Sequence, residues 1–347
     1  MMRFIRPEPL ATKPSVSVVV PCYNYGQYLP QLIDYVLDQP GVDVEILIVD
    51  DKSPDGSGDV AEQLAENNPA VSVLRHKVNA GHIRTYNDGL SRIKGDYVAL
   101  LSADDLLPRG ALSRAIALME ACPSVGLVYG YARSFSGAPP EPNSHLRSWT
   151  FWHGFDWLRS SLRQARCFIS SPEVVMRREA LCQVGLYDPR LPHSADFDLW
   201  MRTALHWDIG RVNGPDQALY RVHDSNMHLT DYAGWVTDLR ERRLTFEILF
   251  DEHARDRADV KGLRDGTMRA LALESLNRGI DVGHTSGQTD SAYGEFAQET
   301  DPSVVETATW RQYQRSLSGT RSPNRVRAIR RRISHHITWR RERRFGV

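Results

Sequence analysis

Asp104 and Asp105 place two hard oxygen donors just beyond an apolar run, Val98 to Leu101, whose length suits a strand buried on both faces. Acids at that point stand at the carboxyl edge of the strand, where open parallel sheets bind their ligands. A carboxylate pair there suits Mg2+ or Mn2+ carrying a diphosphate. The plainer reading is a turn, since Asp-Asp ahead of Leu106-Leu107-Pro108 also caps a helix predicted over 109–121. A second acidic pair, Asp50-Asp51, ends the mainly apolar run Val44 to Val49. Asp196 opens a third candidate segment, in which Phe197, Trp200, Met201, Ala204 and Leu205 form an apolar helical face. That position, at or just before the first helical turn, favours an ionised carboxylate by several tenths of a kcal/mol to about one.

Other chemistries find no support in the residue types. Cys22, Cys122, Cys167 and Cys182 have neither a CxxC pair nor ligand-like spacing to the histidines, so neither a zinc site nor a disulfide framework is expected. No GxGxxG follows the first predicted strand, which excludes a dinucleotide-dependent dehydrogenase.

The elements that must position these acids alternate along the chain. Val16 to Val20 predicts a first buried strand, broken by Pro21 into a loop over Cys22 to Gly26. Leu29, Leu32, Ile33, Val36 and Leu37 recur at helical spacing until Pro40-Gly41. Strands are then predicted over 44–49 and 71–74, a helix over 83–93, the strand that ends at the acidic pair, the helix over 109–121 and a strand over 125–129. This order requires right-handed crossovers and a parallel sheet with helices on both faces. From Gly130 to Ser171 the pattern is irregular, and Trp149, Phe151, Trp152, Phe155 and Trp157 read as a satellite core beneath a long loop. Residues 172–176 and 217–223 predict further strands, with a helix over Arg178 to Val184 that ends at Gly185. After Thr230 the spacing of Trp235, Leu239, Phe246, Leu263, Met268, Leu271 and Leu276 is helical, and 283–294 reads as a loop.

With 347 residues, 41% of them apolar, the chain can bury one large α/β core plus an appendage. Its formal charge of zero hides an acidic body and a basic end, where Arg321, Arg325, Arg327, Arg330, Arg331, Arg332, Arg340, Arg341, Arg343 and Arg344 face only Glu342. Val326, Ile329, Ile333 and Ile337 form a narrow apolar stripe among these arginines, which suits peripheral contact with anionic membrane lipid or a plain solvated tail. The acidic body argues against nucleic acid. Residues 1–14 lack the apolar centre of a signal peptide, and no apolar run reaches membrane-spanning length. A cytoplasmic protein is expected, with the inner membrane face as a second possibility.

Taken together, Val18-Val-Val-Pro-Cys-Tyr-Asn24, Val49-Asp-Asp-Lys-Ser53, Asn79-Ala-Gly81 with Asn87 and Gly89, Gly95-Asp-Tyr-Val98, Ser102-Ala-Asp-Asp105 and Arg177-Arg-Glu-Ala-Leu181 resemble family 2 glycosyltransferases. The resemblance covers about the first two thirds of the chain. It implies the GT-A fold, a Rossmann-like and mainly parallel central sheet, here followed by a C-terminal helical extension. The expected organisation is an N-terminal extension over 1–15 and a catalytic domain over 16–230, then helices over 231–320 and a basic amphipathic tail over 321–347. Within the catalytic domain, 16–130 is the nucleotide-sugar half and 131–230 the acceptor half.

The activity the resemblance implies is inverting transfer of one sugar from a nucleotide-diphosphate sugar to a saccharide or lipid-linked saccharide hydroxyl, with Mg2+ or Mn2+. It assigns Pro21, Tyr23, Asn24, Asp51, Gly81, Arg84 and Asp104 to the donor, Asp104, Asp105 and His223 to the metal, and Asp196 to the catalytic base. Tyr23 would stack on the base, and Asp51 would accept its N–H, as uracil, thymine or guanine could offer. For Arg84 a solvated helix face is the competing reading. Ser102 and Ala195 stand where similar enzymes carry acids, so a degenerate relative that only binds is one alternative. A nucleotidyltransferase of similar layout is the other, although it would need a basic glycine-rich loop after the first strand.

Overall fold

The computed structural model describes residues 3–224, 226, 234–286 and 289–318. They divide into one unit of Met1–Trp157 with Ile169–His223 and another of Leu158–Phe168 with Asp224–Val347. In chain order the strands are β1 (Arg3–Ile5), β2 (Ser15–Cys22), β3 (Asp43–Asp50), β4 (Val71–Arg75), β5 (Tyr97–Leu100), β6 (Val125–Tyr129), β7 (Ala132–Phe135), β8 (Ser148–Trp152), β9 (Val175–Arg177), β10 (Asp208–Asn213) and β11 (Ala218–Arg221). The helices among them are α1 (Leu29–Leu37), α2 (Ser57–Asn67), α3 (His82–Leu90), α4 (Ala111–Ala121), α5 (Gly154–Gln164), α6 (Arg178–Val184) and α7 (Ala195–His206).

Among the described residues the main sheet has the order β1-β8-β10-β6-β9-β5-β2-β3-β4. Strands β5, β2, β3 and β4 run parallel, whereas β9 is antiparallel to both β5 and β6, and β8 to both β1 and β10. The chain leaves β2 through β3 to the β4 edge, then returns to place β5 on the other flank of β2. This reversal puts a crevice at the carboxyl ends of β2 and β5, where ligands bind in sheets of this kind. Burial of both faces explains the unbroken valines of β2, since Val16, Val18, Val19 and Val20 are each 0% exposed.

Two residues of the sequence pattern prove to be packing requirements. A Cβ on Gly89 would lie 2.5 Å from Val19 Cγ1, so α3 approaches the sheet only with glycine there. Asn87 exchanges two hydrogen bonds of 2.9 Å with the backbone of Tyr187, tying α3 to the segment ahead of α7.

The structure departs from the sequence expectations at several places. Strand β2 runs through Pro21 to Cys22 instead of breaking there. The missing N–H of Pro21 faces the β5 side, where the ladder stops at Val19 opposite Leu100 and needs no donor. Residues 172–176 are not one strand: Ser171–Glu173 is a 3-10 turn and β9 starts at Val175. The segment 217–223 forms a short strand only over β11, which pairs with β7 in a separate two-stranded sheet. The stretch 130–171 holds β7, β8 and α5, and Trp149, Trp152 and Trp157 are core side chains at 0%, 4% and 0% exposure.

The second unit contains α8 (Trp235–Ile248), α9 (Ala258–Lys261), α10 (Arg264–Ser286), α11 (Ala292–Thr300) and α12 (Ala308–Leu317). Leu239, Phe246, Leu271 and Leu276 are fully buried, as their helical spacing predicts. Helix α10 extends to Ser286, well into the predicted 283–294 loop. Arg242 is buried here between Glu274 Oε2 at 3.0 Å and the Ala165 carbonyl at 2.8 Å. Among the described residues no helix is long and apolar enough to cross a membrane. The arginine-rich segment 321–347 lies outside the described residues.

Candidate active site

Register across the sheet builds the first part of the site. Cys22 is opposite Asp50, and Asp50 is opposite Arg75, so Tyr23, Asp51 and His76 emerge side by side from three neighbouring parallel strands. Tyr23 is 44% exposed and presents an open ring. Asn24 takes φ 61°, a left-handed conformation tolerated by asparagine, and its N–H donates to Ser53 Oγ at 3.0 Å. Pro21 lies two residues before Tyr23, opposite Val49 of β3.

Asp51 is buried and accepts several bonds. Its Oδ1 accepts from Ala80 N–H at 2.7 Å and faces His76 Nδ1 at 2.8 Å, while Oδ2 accepts from Gly81 N–H at 2.8 Å. Burial pushes this carboxyl up, but the N–H of Ala80, the His76 ring, the N–H of Gly81 and the Thr85 hydroxyl together hold it below its ordinary value. Asp51 therefore anchors the loop between β4 and α3, and a base N–H would have to share Oδ2. Gly81, at φ 83°, has the backbone conformation that lets its N–H turn toward Asp51. Arg84 points outward from α3, its side chain 68% exposed and paired with Asp88 Oδ2 at 3.0 Å. Sequence reading missed His76, whose position directly after β4 was the only available signal.

The second part grows from the end of β5. Asp104 and Asp105 are 5% and 1% exposed. Their loop is clamped by backbone bonds between Leu106 and Leu219, at 3.0 and 2.8 Å, which bring β11 alongside. Arg221 of β11 donates its backbone N–H to Asp105 Oδ1 at 2.9 Å and its Nε to the Asp104 carbonyl at 2.8 Å. Its guanidinium lies over the rings of Phe135 and Tyr28, at 4.6 and 4.9 Å. Just beyond, His223 Nε2 is 3.0 Å from Asp104 Oδ2, and its ring stacks on Tyr28 and meets Tyr25 edge-on.

Burial pushes the Asp104 carboxyl up, against the opposing pull of His223. Burial and the neighbouring Asp104 push Asp105 well above the usual carboxylate range. Two desolvated acids side by side form a donor set that fits a hard divalent cation, whose charge would offset their repulsion. Among the described residues no group of three or more His, Cys, Asp or Glu is placed to hold a metal by itself. Two carboxylates suffice when Mg2+ or Mn2+ keeps waters and takes phosphate oxygens.

The third part is a cavity of about 400 Å3 lined by Ser102, Asp105, Ser134, Ser170, Ser171 and Tyr220, with Ala132 and Pro172. Behind its Ser171 wall lies Asp196, in the first turn of α7. Ser171 Oγ donates to Asp196 Oδ2, and the Phe197 N–H donates to Oδ1 at 2.6 Å. Burial pushes the Asp196 carboxyl up, and these two donors with His193 work against it. Asp198 is turned elsewhere: fully buried, it pairs with Arg202 at 2.7 Å, and Arg202 caps the carbonyls of Val184, Gly185 and Leu186. Sequence reading singled out none of Tyr25, Tyr28, Arg221, Ser171 or Tyr220 as site residues.

The chain is similar to known proteins in sequence and in fold. A family model described as "Glycosyl transferase family 2" matches residues 17–185. An uncharacterised glycosyltransferase of Nostoc sp., alr2836, is 30% identical over 227 residues, covering 62% of this chain and 67% of that protein. The glycosyltransferase GlyG of Streptococcus pneumoniae is 32% identical over 122 residues, 34% of this chain and 40% of its own length. Among solved structures, the mannosyltransferase PcManGT from Pyrobaculum calidifontis, in complex with GDP-Man and Mn2+, superposes with TM-score 0.55 at 19% identity, covering 91% of this chain and 88% of that one. S. aureus TarS 1–349 in complex with UDP-GlcNAc gives the same TM-score at 15% identity, covering 84% and 92%. The two structures share the fold, a mixed α/β architecture of GT-A type. With the family model matching residues 17–185 and the Nostoc relative matched at 30% identity over 67% of its length, the chain belongs to glycosyltransferase family 2.

Proposed function

We propose that this glycosyltransferase moves a single sugar from a nucleotide-diphosphate sugar to a hydroxyl of a saccharide or lipid-linked saccharide, with inversion and with Mg2+ or Mn2+. The observation that carries this reading is the cavity bounded on one side by Asp105 and on another by Ser171, the partner of Asp196. A single displacement needs a base beside the attacking hydroxyl and, beside the leaving diphosphate, carboxylates that could hold a neutralising cation.

In this reading Tyr23 stacks on the donor base while Asp51 and Gly81 shape the loop beside it. Asp104 and Asp105 hold the cation, and His223 orients Asp104 as an outer hydrogen-bond partner or serves as a third ligand. Held by Asp104 and Asp105, such a cation would supply charge neutralisation for the departing diphosphate. Arg221 keeps both acids in place through the loop it grips. Asp196 accepts the acceptor's hydroxyl proton as the bond to the anomeric carbon forms.

The complexes of the two solved structures, GDP-Man with Mn2+ in one and UDP-GlcNAc in the other, support a nucleotide-sugar donor. A calorimetric and mass-spectrometric screen of UDP- and GDP-sugars with Mn2+ tests the reading. The expected result is Mn2+-dependent binding of one donor class and release of its nucleoside diphosphate. Binding without turnover would support a degenerate relative, and the absence of binding to every donor would remove the reading.

A further inference from the structure

We infer that Ser171 is a positioning residue for Asp196, an assignment that rests on the glycosyl-transfer reading of this site. A carboxylate that must take a proton from a sugar hydroxyl needs a fixed plane and a free lone pair. The Phe197 N–H and the Ser171 hydroxyl each occupy one oxygen of Asp196, leaving a second lone pair on each. Together they fix the rotation of a side chain that would otherwise turn about its Cβ–Cγ bond.

Ser171 can do this because it is itself held. It opens the 3-10 turn Ser171–Glu173, with Pro172 restricting the backbone inside it. Ser170 and Glu173 close the turn reciprocally as a capping box, in which Glu173 Oε1 accepts the Ser170 N–H at 2.8 Å. Glu173 is only 3% exposed, so the turn is anchored from beneath. Its upper side, Ser170 and Ser171, lines the cavity with Asp105. The same turn therefore forms the cavity wall and aims the base.

Direct recognition of the sugar by Ser171 is the competing role. A serine hydroxyl has one proton to donate, and here Asp196 receives it, so only its lone pairs face the cavity. The titratable groups around Asp196 are Glu173, His193, Tyr86 and Tyr187. Of these, Glu173 disfavours the Asp196 anion and His193 favours it.

The test compares Ser171→Ala with Ser171→Thr, which keeps the hydroxyl. Carboxyl-carbon NMR titration, with the Asp196 resonance assigned by its absence in Asp196→Asn, needs no turnover and stays informative even if no donor is found. Ser171→Ala should raise the Asp196 titration midpoint, and Ser171→Thr should return it to the wild-type value. With an active donor, Ser171→Ala should lower kcat about 10-fold and shift the acid limb of its pH profile upward, with donor KM unchanged. An unmoved midpoint in Ser171→Ala overturns the assignment. So does a rise in donor KM without a change in kcat, which would place Ser171 against the sugar instead.

Discussion

His76 Nδ1 is hydrogen-bonded to Asp51 Oδ1 at 2.8 Å, while its Nε2 lies 3.3 Å from Asp88 Oδ2 without a hydrogen bond, so one half-buried imidazole stands between two acids at the end of β4. The contact ties the end of β4 to α3 and supports the loop whose N–H groups grip Asp51. A hydrogen bond to a charged group contributes roughly 1.5 to 3 kcal/mol. His76→Leu should therefore weaken nucleotide binding by about 10-fold or more, by loosening the loop beside Tyr23. Calorimetry with UDP and GDP in the presence of Mn2+ measures this, and unchanged affinity would show that the loop holds without the imidazole.

A second outcome follows from the strain between Asp104 and Asp105. Without a cation, an ionised Asp105 is desolvated and faces a neighbouring acid, which is why its carboxyl is pushed well up. Asp105→Asn removes that repulsion and keeps an acceptor for the Arg221 N–H. The variant should unfold at a higher temperature than wild type in EDTA at pH 8, yet lose the Mn2+-dependent component of donor binding. Thermal melts with EDTA and with Mn2+ check both halves. A variant that is less stable in EDTA and still responds to Mn2+ with donor would refute the metal assignment.

Glu173 gives a pH prediction. Burial pushes its carboxyl from an ordinary 4.5 up to about 8, with Asp196 adding to the rise and Arg211 opposing it. Because the folded-state value is the higher one, its contribution to stability is complete below 4.5 and is lost as the pH rises through about 8. A gap of that size corresponds to a loss on the order of 5 kcal/mol. Glu173→Gln stays neutral and keeps an acceptor for the Ser170 N–H. Urea unfolding at pH 5 and pH 8.5 should show wild type losing more stability than Glu173→Gln over that interval. Parallel losses in the two proteins would mean that Glu173 ionises freely.

The first half of the sheet was legible because β2, β3, β5 and β6 are buried on both faces and read as continuous apolar runs. Strand β10 was not, because Asp208, Gly210, Arg211 and Asn213 break its pattern. Gly210 is needed there, since a Cβ would lie 2.7 Å from Leu118 of α4. Arg211 is tolerated inside because its guanidinium reaches Asn213 Oδ1 at 2.7 Å. In the site, acids at strand ends could be placed by sequence spacing alone. Arg221, Ser171 and His76 could not, because each matters through a partner far away in the chain: Asp105, Asp196 and Asp51.

The choice between Asp196 and Asp198 provides the last prediction. Both lie in the first turn of α7, two residues apart, and therefore point to different sides of the helix. Asp198 is committed to Arg202, which in turn holds the carbonyls that end α6, so its charge serves the fold. Removing it leaves a buried guanidinium without its partner, which typically costs several kcal/mol. Asp196 accepts from the Ser171 hydroxyl and the Phe197 N–H, and His193 favours its anion. An amide at 196 keeps nearly the same shape but cannot take a proton. Asp196→Asn should therefore lose about 10²-fold or more in kcat, with donor affinity and melting temperature near wild type. Asp198→Asn should instead melt at a lower temperature, with turnover per folded molecule largely kept. Rates and melts for the two variants decide the matter: near-normal turnover in Asp196→Asn, or a folded but inactive Asp198→Asn, would move the base away from Asp196.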